Sequence, residues 1–230
     1  MTQIKATLID HMGSDLSVVN AARVSFGKES QAVEWLNYDY PNGNRCGDLI
    51  AVLDGRDTKL IRYLAKHRHI SPFGHCFVSF HIKAPIFVAR QLVKHKFLRW
   101  NEISRRYVDD EPEFYTPDVW RGRSADKKQG SEGVVDVGDW GDTNWACLKA
   151  YNDLLEHGVA PEQARMVLPQ STMTEWYWSG SLDAFADMCN LRCKSDTQYE
   201  TRLVAWHIHR HMDRLFPVSW DALMQGDDDE

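Results

Sequence analysis

One short stretch of the chain concentrates side chains that could bind an anionic, ring-bearing ligand. It runs from Lys94 to Tyr107 and reads KHKFLRWNEISRRY. Its cations can donate to phosphate or carboxylate, and its aromatic rings offer flat stacking surfaces. The donors are Lys94, Lys96, Arg99 and Arg106, the other polar groups are Glu102 and Ser104, and the rings are Phe97, Trp100 and Tyr107. This inventory suits a nucleotide, with its phosphate on a cation, its base on an amide or carboxylate and its ring on an aromatic.

The residues that lead into this stretch, IFVARQLVKHK at 86–96, have the spacing of a helix. At about 100° per residue, Arg90, Gln91, Lys94 and His95 fall on one arc of that helix. Four polar side chains on one arc are also typical of a solvated helix face. The spacing therefore leaves a ligand site and a solvated face both open.

A further cation, Arg192, falls on the apolar side of a predicted helix, LDAFADMCNLR. Leu182, Phe185 and Cys189 form its inward stripe. Burying a guanidinium costs several kcal/mol unless it is paired. Arg192 therefore either reaches solvent or carbonyls at the helix end, or faces a cavity that holds an anionic ligand. Arg165, in QARMVLP, raises the same question.

The histidines and cysteines do not form a recognisable metal motif. His207 and His211 would share a helix face, as zinc ligands do, but no HExxH pattern contains them. The five cysteines form no CxxC pair, and their odd number indicates free thiols: Cys46, Cys76, Cys147, Cys189 and Cys193. We therefore expect no metal. His69, in RHISPFGH, lies on a predicted loop, which is a better place for a ligand contact.

Composition narrows the class of protein. The chain has 230 residues, of which 43% are hydrophobic and 26% are charged, with a net charge of −6. These values exclude a mostly disordered chain, and no apolar run is long enough to cross a bilayer. The start, MTQIKATLID, lacks a signal-peptide core, so we expect a cytoplasmic protein. The net negative charge argues against a protein that coats nucleic acid. No GxGxxG motif follows a predicted strand and no Walker A motif is present, so the sequence supports neither a Rossmann nicotinamide site nor ATP-driven chemistry.

The elements that must position these side chains mix without a βαβ rhythm. Helices are predicted at 15–23, 58–67, 86–96, 144–156, 161–168, 182–192 and 196–215, and strands at 75–83 and 171–179. This mixture favours an α+β fold, an antiparallel sheet flanked by helices, in one domain over 1–230. Residues 31–57 and 109–142 are rich in turn residues and are expected to be insertions, the second of them mobile.

Several blocks, in order along the chain, resemble the flavin-dependent thymidylate synthases. The signature of that family is Arg-His-Arg, seven residues and Ser, usually ending Asn-Glu-x-Ser-x-Arg-Tyr, and KHKFLRWNEISRRY is similar to it. The other matching blocks are NAARVSF, HISPFGH, HIKAPIFVARQ, ARMVLP and NLRCKSDTQYE. The segments 31–57 and 109–142 lie outside these blocks.

The resemblance implies a homotetrameric, single-domain enzyme that makes thymidylate from dUMP. It implies methylenetetrahydrofolate as the carbon donor and NADPH as the reductant, acting through FAD. It implies no cysteine nucleophile, no nucleic acid and no membrane. No cysteine of the sequence has an evident activating neighbourhood, which agrees with that chemistry.

The resemblance also implies a role for individual residues. Arg192 would be the catalytic cation, since a guanidinium that faces a developing enolate stabilises its charge. The implied dUMP contacts are Gln91, Lys94, Glu102, Ile103, Ser104, Arg105, Arg106, Arg165 and Arg192. The implied FAD contacts are Ser71, Lys94, His95, Lys96, Glu102 and Asp187.

Two lysines depart from the family's pattern. Lys94 and Lys96 stand where the family has arginines, and lysine keeps the charge but loses the bidentate fork. Our hypothesis is that Arg99 or Arg105 supplies that fork.

The alternatives to the synthase are a catalytically altered protein that binds flavin or nucleotide, and a nucleic-acid-binding protein that uses the basic stretch.

Overall fold

The computed structural model describes residues 4–38, 48–108, 110–125, 130–138 and 141–224. Its strands are β1 (Lys5–Met12), β2 (Glu34–Tyr38), β3 (Asp48–Val52), β4 (Phe77–Pro85), β5 (Leu98–Glu102), β6 (Arg121–Arg123), β7 (Ser131–Val134) and β8 (Met173–Ser181). Its helices are α1 (Asp15–Arg23), α2 (Gly55–Lys66), α3 (Ile86–Leu92), α4 (Gly141–Glu156), α5 (Pro161–Ala164), α6 (Leu182–Arg192), α7 (Tyr199–Leu215) and α8 (Pro217–Met224). The predicted α+β class is confirmed.

A four-stranded antiparallel sheet, in the order β1-β4-β8-β5, forms the centre of the fold. Residues of one strand point alternately to opposite faces. In β4 this puts Val78, Phe80 and Ile82 on the face that is fully buried. His81 and Lys83 point the other way, where both contact the carboxylate of Glu175 on β8. The alternation predicted from the sequence therefore gives the sheet one core face and one polar face.

The helices that follow β8 cover the core face. Phe80 of β4 meets Phe185 of α6 edge to face, with ring centroids 5.3 Å apart. The hydrophobic core also includes Val204 and Ile208 of α7 and Trp220 of α8. Because β8 runs directly into α6, the packing of this helix on the sheet sets where its last residue, Arg192, lies.

The predicted helix over 86–96 was wrong in its second half. Helix α3 ends at Leu92, and Phe97 has a φ of +64°, a left-handed conformation that redirects the chain. Residues 98–102 then pair with β8 as strand β5. Lys94 and His95 therefore lie in the turn after the helix and not on its arc. Pairing with the edge of β8 outweighs the local helix pattern here.

Other boundaries differ for local reasons. Helix α2 begins at Gly55, three residues before the predicted start, because the side chain of Asp54 accepts hydrogen bonds from the backbone N–H groups of Arg56 and Asp57. The predicted helix over 196–215 begins only at Tyr199. A further helix, α8, was not predicted; Pro217 occupies its first turn, where a missing N–H costs no helical hydrogen bond.

Each segment predicted as an insertion contains a two-stranded antiparallel hairpin. Strand β2 pairs with β3 inside 31–57, and β6 pairs with β7 inside 109–142. The ends of the two segments belong to helices α2 and α4. Parts of both segments, including Cys46, lie outside the described residues, and the mobility of 109–142 stays a prediction.

Four cysteines are free thiols, as predicted: Cys76, Cys147, Cys189 and Cys193. Within the described ranges no group of three or more His, Cys, Asp or Glu side chains is placed to hold a metal ion. In that same part of the chain, no helix is both long enough and apolar enough to span a membrane.

A partly buried histidine makes stability depend on pH. His211 of α7 lies beside the ring of Phe80, with centroids 5.8 Å apart. Burial, followed by the charges of Arg214, His207 and Arg210, lowers the pKa of His211 to about 4. Between this pKa and the unfolded value of about 6.5, the unfolded chain binds the extra proton, so stability falls as pH falls.

We expect His211 alone to remove about 2 kcal/mol from the free energy of unfolding between pH 7 and pH 4.5. Urea denaturation at the two pH values measures this loss. A His211→Gln variant should show a smaller loss than the parent, whereas the same change at exposed His67 should not. Equal losses in the parent and His211→Gln would contradict the assignment.

Candidate functional site

Three predicted site residues meet where helices α3 and α6 end. Arg192, the last residue of α6, donates its Nε–H to Nε2 of His95 at 3.0 Å. Its Nη2 lies 3.5 Å from the backbone carbonyl oxygen of Gln91, a weak contact in the last turn of α3. The structure thus joins Arg192 to the Lys94–Arg106 region, which sequence reasoning had connected only through the resemblance.

The charge state of this cluster follows from its burial. Burial, and then the positive charge of Arg192, lowers the pKa of His95 to about 4. The imidazole is therefore neutral at pH 7, and it accepts at Nε2 only in the tautomer with its proton on Nδ1. Burial also lowers the pKa of Arg192, but a guanidinium stays charged in proteins. In the described part of the chain, the hydrogen-bond partners of Arg192 are neutral, which leaves its charge for a ligand.

Glu102, at the end of β5, is oriented by two hydrogen bonds. Its Oε2 accepts from Nε1 of Trp100 at 3.1 Å, and its Oε1 accepts from Oγ1 of Thr174 at 2.7 Å. Trp100 itself stacks on Trp176 of β8, with centroids 4.3 Å apart and planes 19° from parallel. One face of Trp100 is therefore used inside the protein, although the sequence suggested it as a surface for a ligand. The carboxylate of Glu102 remains exposed, with lone pairs available to a substrate.

The residues after β5 form a turn whose backbone is fixed. Ile103 donates its N–H to the carbonyl of Glu175 at 2.9 Å, which extends the pairing with β8 by one residue. The carbonyl of Ser104 accepts from the N–H groups of Tyr107 and Val108 at 3.0 and 3.2 Å. Arg106 lies over the ring of Tyr107 at 4.9 Å. The signature serine and its neighbours are thus held on a tight turn at the edge of the sheet.

The two arginines that could supply the missing bidentate fork, Arg99 and Arg105, differ in their surroundings. Arg105 donates to the carbonyl of Asp110 at 2.7 Å and lies 3.7 Å from its carboxylate, with a side chain only 15% exposed. Arg99 is exposed on β5, between neighbours that are half-buried. Arg105 is therefore committed to Asp110, and Arg99 is the freer of the two guanidinium groups. The role of either in place of an arginine at Lys94 stays a prediction.

The remaining predicted contacts lie on exposed turns and helix surfaces. Ser71 begins a short 3₁₀ turn, Lys94 and Lys96 follow α3, and all three are exposed. Asp187 of α6 is exposed and lies 3.9 Å from the guanidinium of Arg68. Arg165 donates its Nε–H to the carbonyl of Glu162 at 3.2 Å. Within the described residues, no hydrogen bond or ion pair joins Ser71, Asp187 or Arg165 to Arg192, so their roles stay predictions.

Sequence reasoning missed the partners of Gln91. The side-chain nitrogen of Gln91 donates to Oε1 of Gln198. The side-chain oxygen of Gln91 accepts from Oγ1 of Thr201 at 3.2 Å. Thr201 is fully buried and sits in the first turn of α7. The only signal was the block NLRCKSDTQYE at 190–200, which contains Gln198 without giving it a role, and Thr201 lies directly after that block.

Comparison with known proteins places the chain among thymidylate synthases. The family model described as "Thymidylate synthase complementing protein" matches residues 7–218. A flavin-dependent thymidylate synthase of Thermus thermophilus is 38% identical over 94% of this chain and 73% of the relative. One of Kosmotoga olearia is 39% identical over 94% of this chain and 88% of the relative. Among solved structures, the UMP/dUMP methylase PolB of Streptomyces cacaoi, bound with 5-Br dUMP, has a TM-score of 0.79 and 32% identity, covering 96% of this chain and 95% of PolB.

Proposed function

The chain belongs to the family of flavin-dependent thymidylate synthases, and we propose that it methylates carbon 5 of dUMP to give dTMP. The observation that carries the proposal is the half-buried Arg192, a cation with neutral partners beside Gln91 and His95. A fixed cation of this kind stabilises negative charge that develops on a uracil ring. It favours loss of the proton at N3, which makes carbon 5 more electron-rich.

The protein residues bind and orient the nucleotide around that cation. The carboxylate of Glu102, held by Trp100 and Thr174, is an acceptor for a ribose hydroxyl or a base N–H. Lys94 and Arg106 supply exposed positive charge for a phosphate. Arg165 is proposed to approach the same nucleotide from the 3₁₀ turn Arg165–Val167 that follows α5.

The same proposal requires no cysteine nucleophile. Burial raises the pKa of Cys76 to about 12 and raises the pKa of Cys189 well above its ordinary value, so both stay protonated at neutral pH. A hydrogen bond with Cys189 lowers the pKa of Cys193. Cys193→Ser is therefore the thiol variant that tests this point, and we expect it to retain activity.

A flavin is part of the proposal, and the residues present fit it. The exposed Ser71, Lys94 and Lys96 offer hydroxyl and ammonium donors for a pyrophosphate, and the neutral His95 offers one ring N–H. We propose FAD as the flavin, with NADPH and methylenetetrahydrofolate as co-substrates. Bound FAD would supply hydride transfer. A homotetramer, a cytoplasmic location and a single domain carrying 31–57 and 109–142 as insertions belong to the same proposal.

The second candidate is a protein that binds flavin and nucleotide without turnover. It is favoured by Lys94 and Lys96, which replace the arginines of the family pattern. Because the PolB structures hold 5-Br dUMP in one case and 5-Br UMP in the other, UMP is also a substrate to be tested.

An anaerobic assay separates these functions. The purified protein is supplied with FAD, methylenetetrahydrofolate and NADPH, with dUMP, UMP or no nucleotide added. We expect dUMP to stimulate NADPH oxidation and mass spectrometry to detect dTMP. Flavin that is bound and reduced without a methylated product would support the second candidate. A protein that binds no flavin at saturating FAD would overturn both.

A further inference from the structure

A buried carboxylate, Glu200, links the 109–142 segment to the proposed nucleotide site. It lies in the first turn of α7 and is only 4% exposed. Its Oε1 accepts from the guanidinium of Arg121, the first residue of β6, and from the hydroxyl of Tyr115 at 3.4 Å. Burial, followed by the charge of Glu200, raises the pKa of Tyr115, so this hydroxyl stays a donor. A buried carboxylate is costly unless it is paired, and Arg121 and Tyr115 supply partners for Glu200.

The hydrogen bonds continue from Glu200 to Gln91. Oε2 of Glu200 accepts from Nε2 of Gln198 at 3.3 Å, and Oε1 of Gln198 accepts from the side-chain nitrogen of Gln91. Thr201 then donates to the side-chain oxygen of Gln91 at 3.2 Å. The chain of bonds therefore runs from the hairpin of the 109–142 segment to a residue beside Arg192.

Glu200 also sets the direction of these hydrogen bonds. An ionised carboxylate only accepts hydrogen bonds, so it requires the nitrogen of Gln198 to face it. The oxygen of Gln198 must then face Gln91, which requires the nitrogen of Gln91 to point back toward it. An amide whose neighbours could both donate and accept would be free to exchange its oxygen and nitrogen. The charge of Glu200 thus fixes which atoms Gln91 presents to a ligand.

A separate contact shows that the 109–142 segment is packed against the same region. Gly130, just before β7, has a φ of +91°, and a Cβ atom built on it would lie 2.7 Å from the backbone oxygen of Asp196. Asp196 lies in the connection between α6 and α7. The guanidinium of Arg121 also lies over the ring of Tyr199, 4.4 Å from its centroid. The hairpin therefore contacts both the connection that follows Arg192 and the first turn of α7.

We propose that Arg121 and Glu200 are positioning residues for the uracil nucleotide, acting through Gln198 on the amide of Gln91. The 109–142 segment is then part of the machinery that binds substrate, although it lies outside the blocks that resemble the family. This inference rests on the proposed function in one respect, that Gln91 contacts the nucleotide.

Two variants test the proposal by different routes. Glu200→Gln keeps the size but removes the acceptor-only group, and Arg121→Met removes the cation while it keeps an apolar stem. Each should weaken dUMP binding about tenfold in calorimetric titration of the FAD-loaded protein. The Kd for FAD should change less than twofold, and kcat at saturating dUMP should change less than KM. Arg123→Met, on the exposed end of the same strand, is the matched control and should bind dUMP like the parent.

A double-mutant cycle separates positioning from a general structural role. In a Gln91→Leu background there is no amide left to orient, so Glu200→Gln should weaken dUMP binding less than twofold further. An equal loss in both backgrounds, or unchanged binding in Arg121→Met, would overturn the proposal. If Glu200→Gln does not fold, as judged by circular dichroism, Arg121→Met and its double variant decide.

The outcome is independent of turnover. A parent protein that binds dUMP but forms no dTMP would refute the proposed function, while the binding cycle would still decide the roles of Arg121 and Glu200. A parent protein that binds no dUMP would overturn both.

Discussion

Replacement of Arg192 by lysine should lower kcat for dTMP formation by about 10²–10³-fold. The guanidinium donates from Nε to His95 and approaches the carbonyl of Gln91 with Nη2, so its plane is fixed between the two helix ends. Lysine keeps a positive charge but has one rotatable ammonium, which cannot hold both contacts and still face a uracil ring. The measurement is single-turnover formation of dTMP with the FAD-loaded variant.

The control for this change is Arg62→Lys, since Arg62 of α2 is an exposed arginine that is 60% accessible and 3.7 Å from Asp221. It should retain parent activity. Arg192→Met offers a spectroscopic readout: with the neighbouring charge gone, NMR titration should show the pKa of His95 rising from about 4. If Arg192→Lys forms dTMP within tenfold of the parent rate, a fixed guanidinium is not required, and if Arg192→Met does so as well, the electrostatic role assigned to Arg192 is wrong.

Local patterns in the sequence were enough to predict the central strands and the helix that carries Arg192. Alternation predicted β4 because one face of a half-buried strand must be apolar, and Val78, Phe80 and Ile82 are buried as expected. The apolar stripe of α6 predicted that Arg192 lies on the inward side, and the structure finds it half-buried. These features depend only on neighbours in the sequence and on the need to bury apolar surface.

What the sequence missed depends on contacts between distant segments. Strand β5 exists because residues 98–102 pair with β8, and no local signal near Phe97 announces the left-handed residue that separates it from α3. Glu200 looks like an ordinary acidic residue in the first turn of a helix. Its burial comes from Arg121 and Tyr115 of the 109–142 segment, which the sequence presented as a mobile insertion.

In the candidate site, too, the sequence indicated the residues proposed to contact the ligand but not the residues that orient them. The resemblance assigned Gln91, Glu102 and Arg192 through matching blocks, and the structure connects Gln91 and Arg192 directly. The resemblance did not assign the residues that orient Gln91 and Glu102. Those residues, Gln198 and Thr174, act through side-chain hydrogen bonds across the fold. Orientation of a site by residues from another element is a property of the packed molecule.

Trp176→Ala should have the largest effect on stability, a loss of about 3–5 kcal/mol and a decrease in Tm of roughly 6–20 °C. Trp176 of β8 is 1% exposed and stacks on Trp100, whose indole nitrogen donates to Glu102. Removing the ring leaves a cavity in the core and frees Trp100, so dUMP binding should weaken as well at temperatures where the variant is folded.

Trp176→Phe should cost less on both counts, because it keeps a ring and removes an indole N–H that has no hydrogen-bond partner among the described residues. Thermal denaturation with Trp145→Ala as the control, a tryptophan that is 64% exposed on α4, measures the difference; equal losses in the two alanine variants would show that the stacked pair does not support the fold.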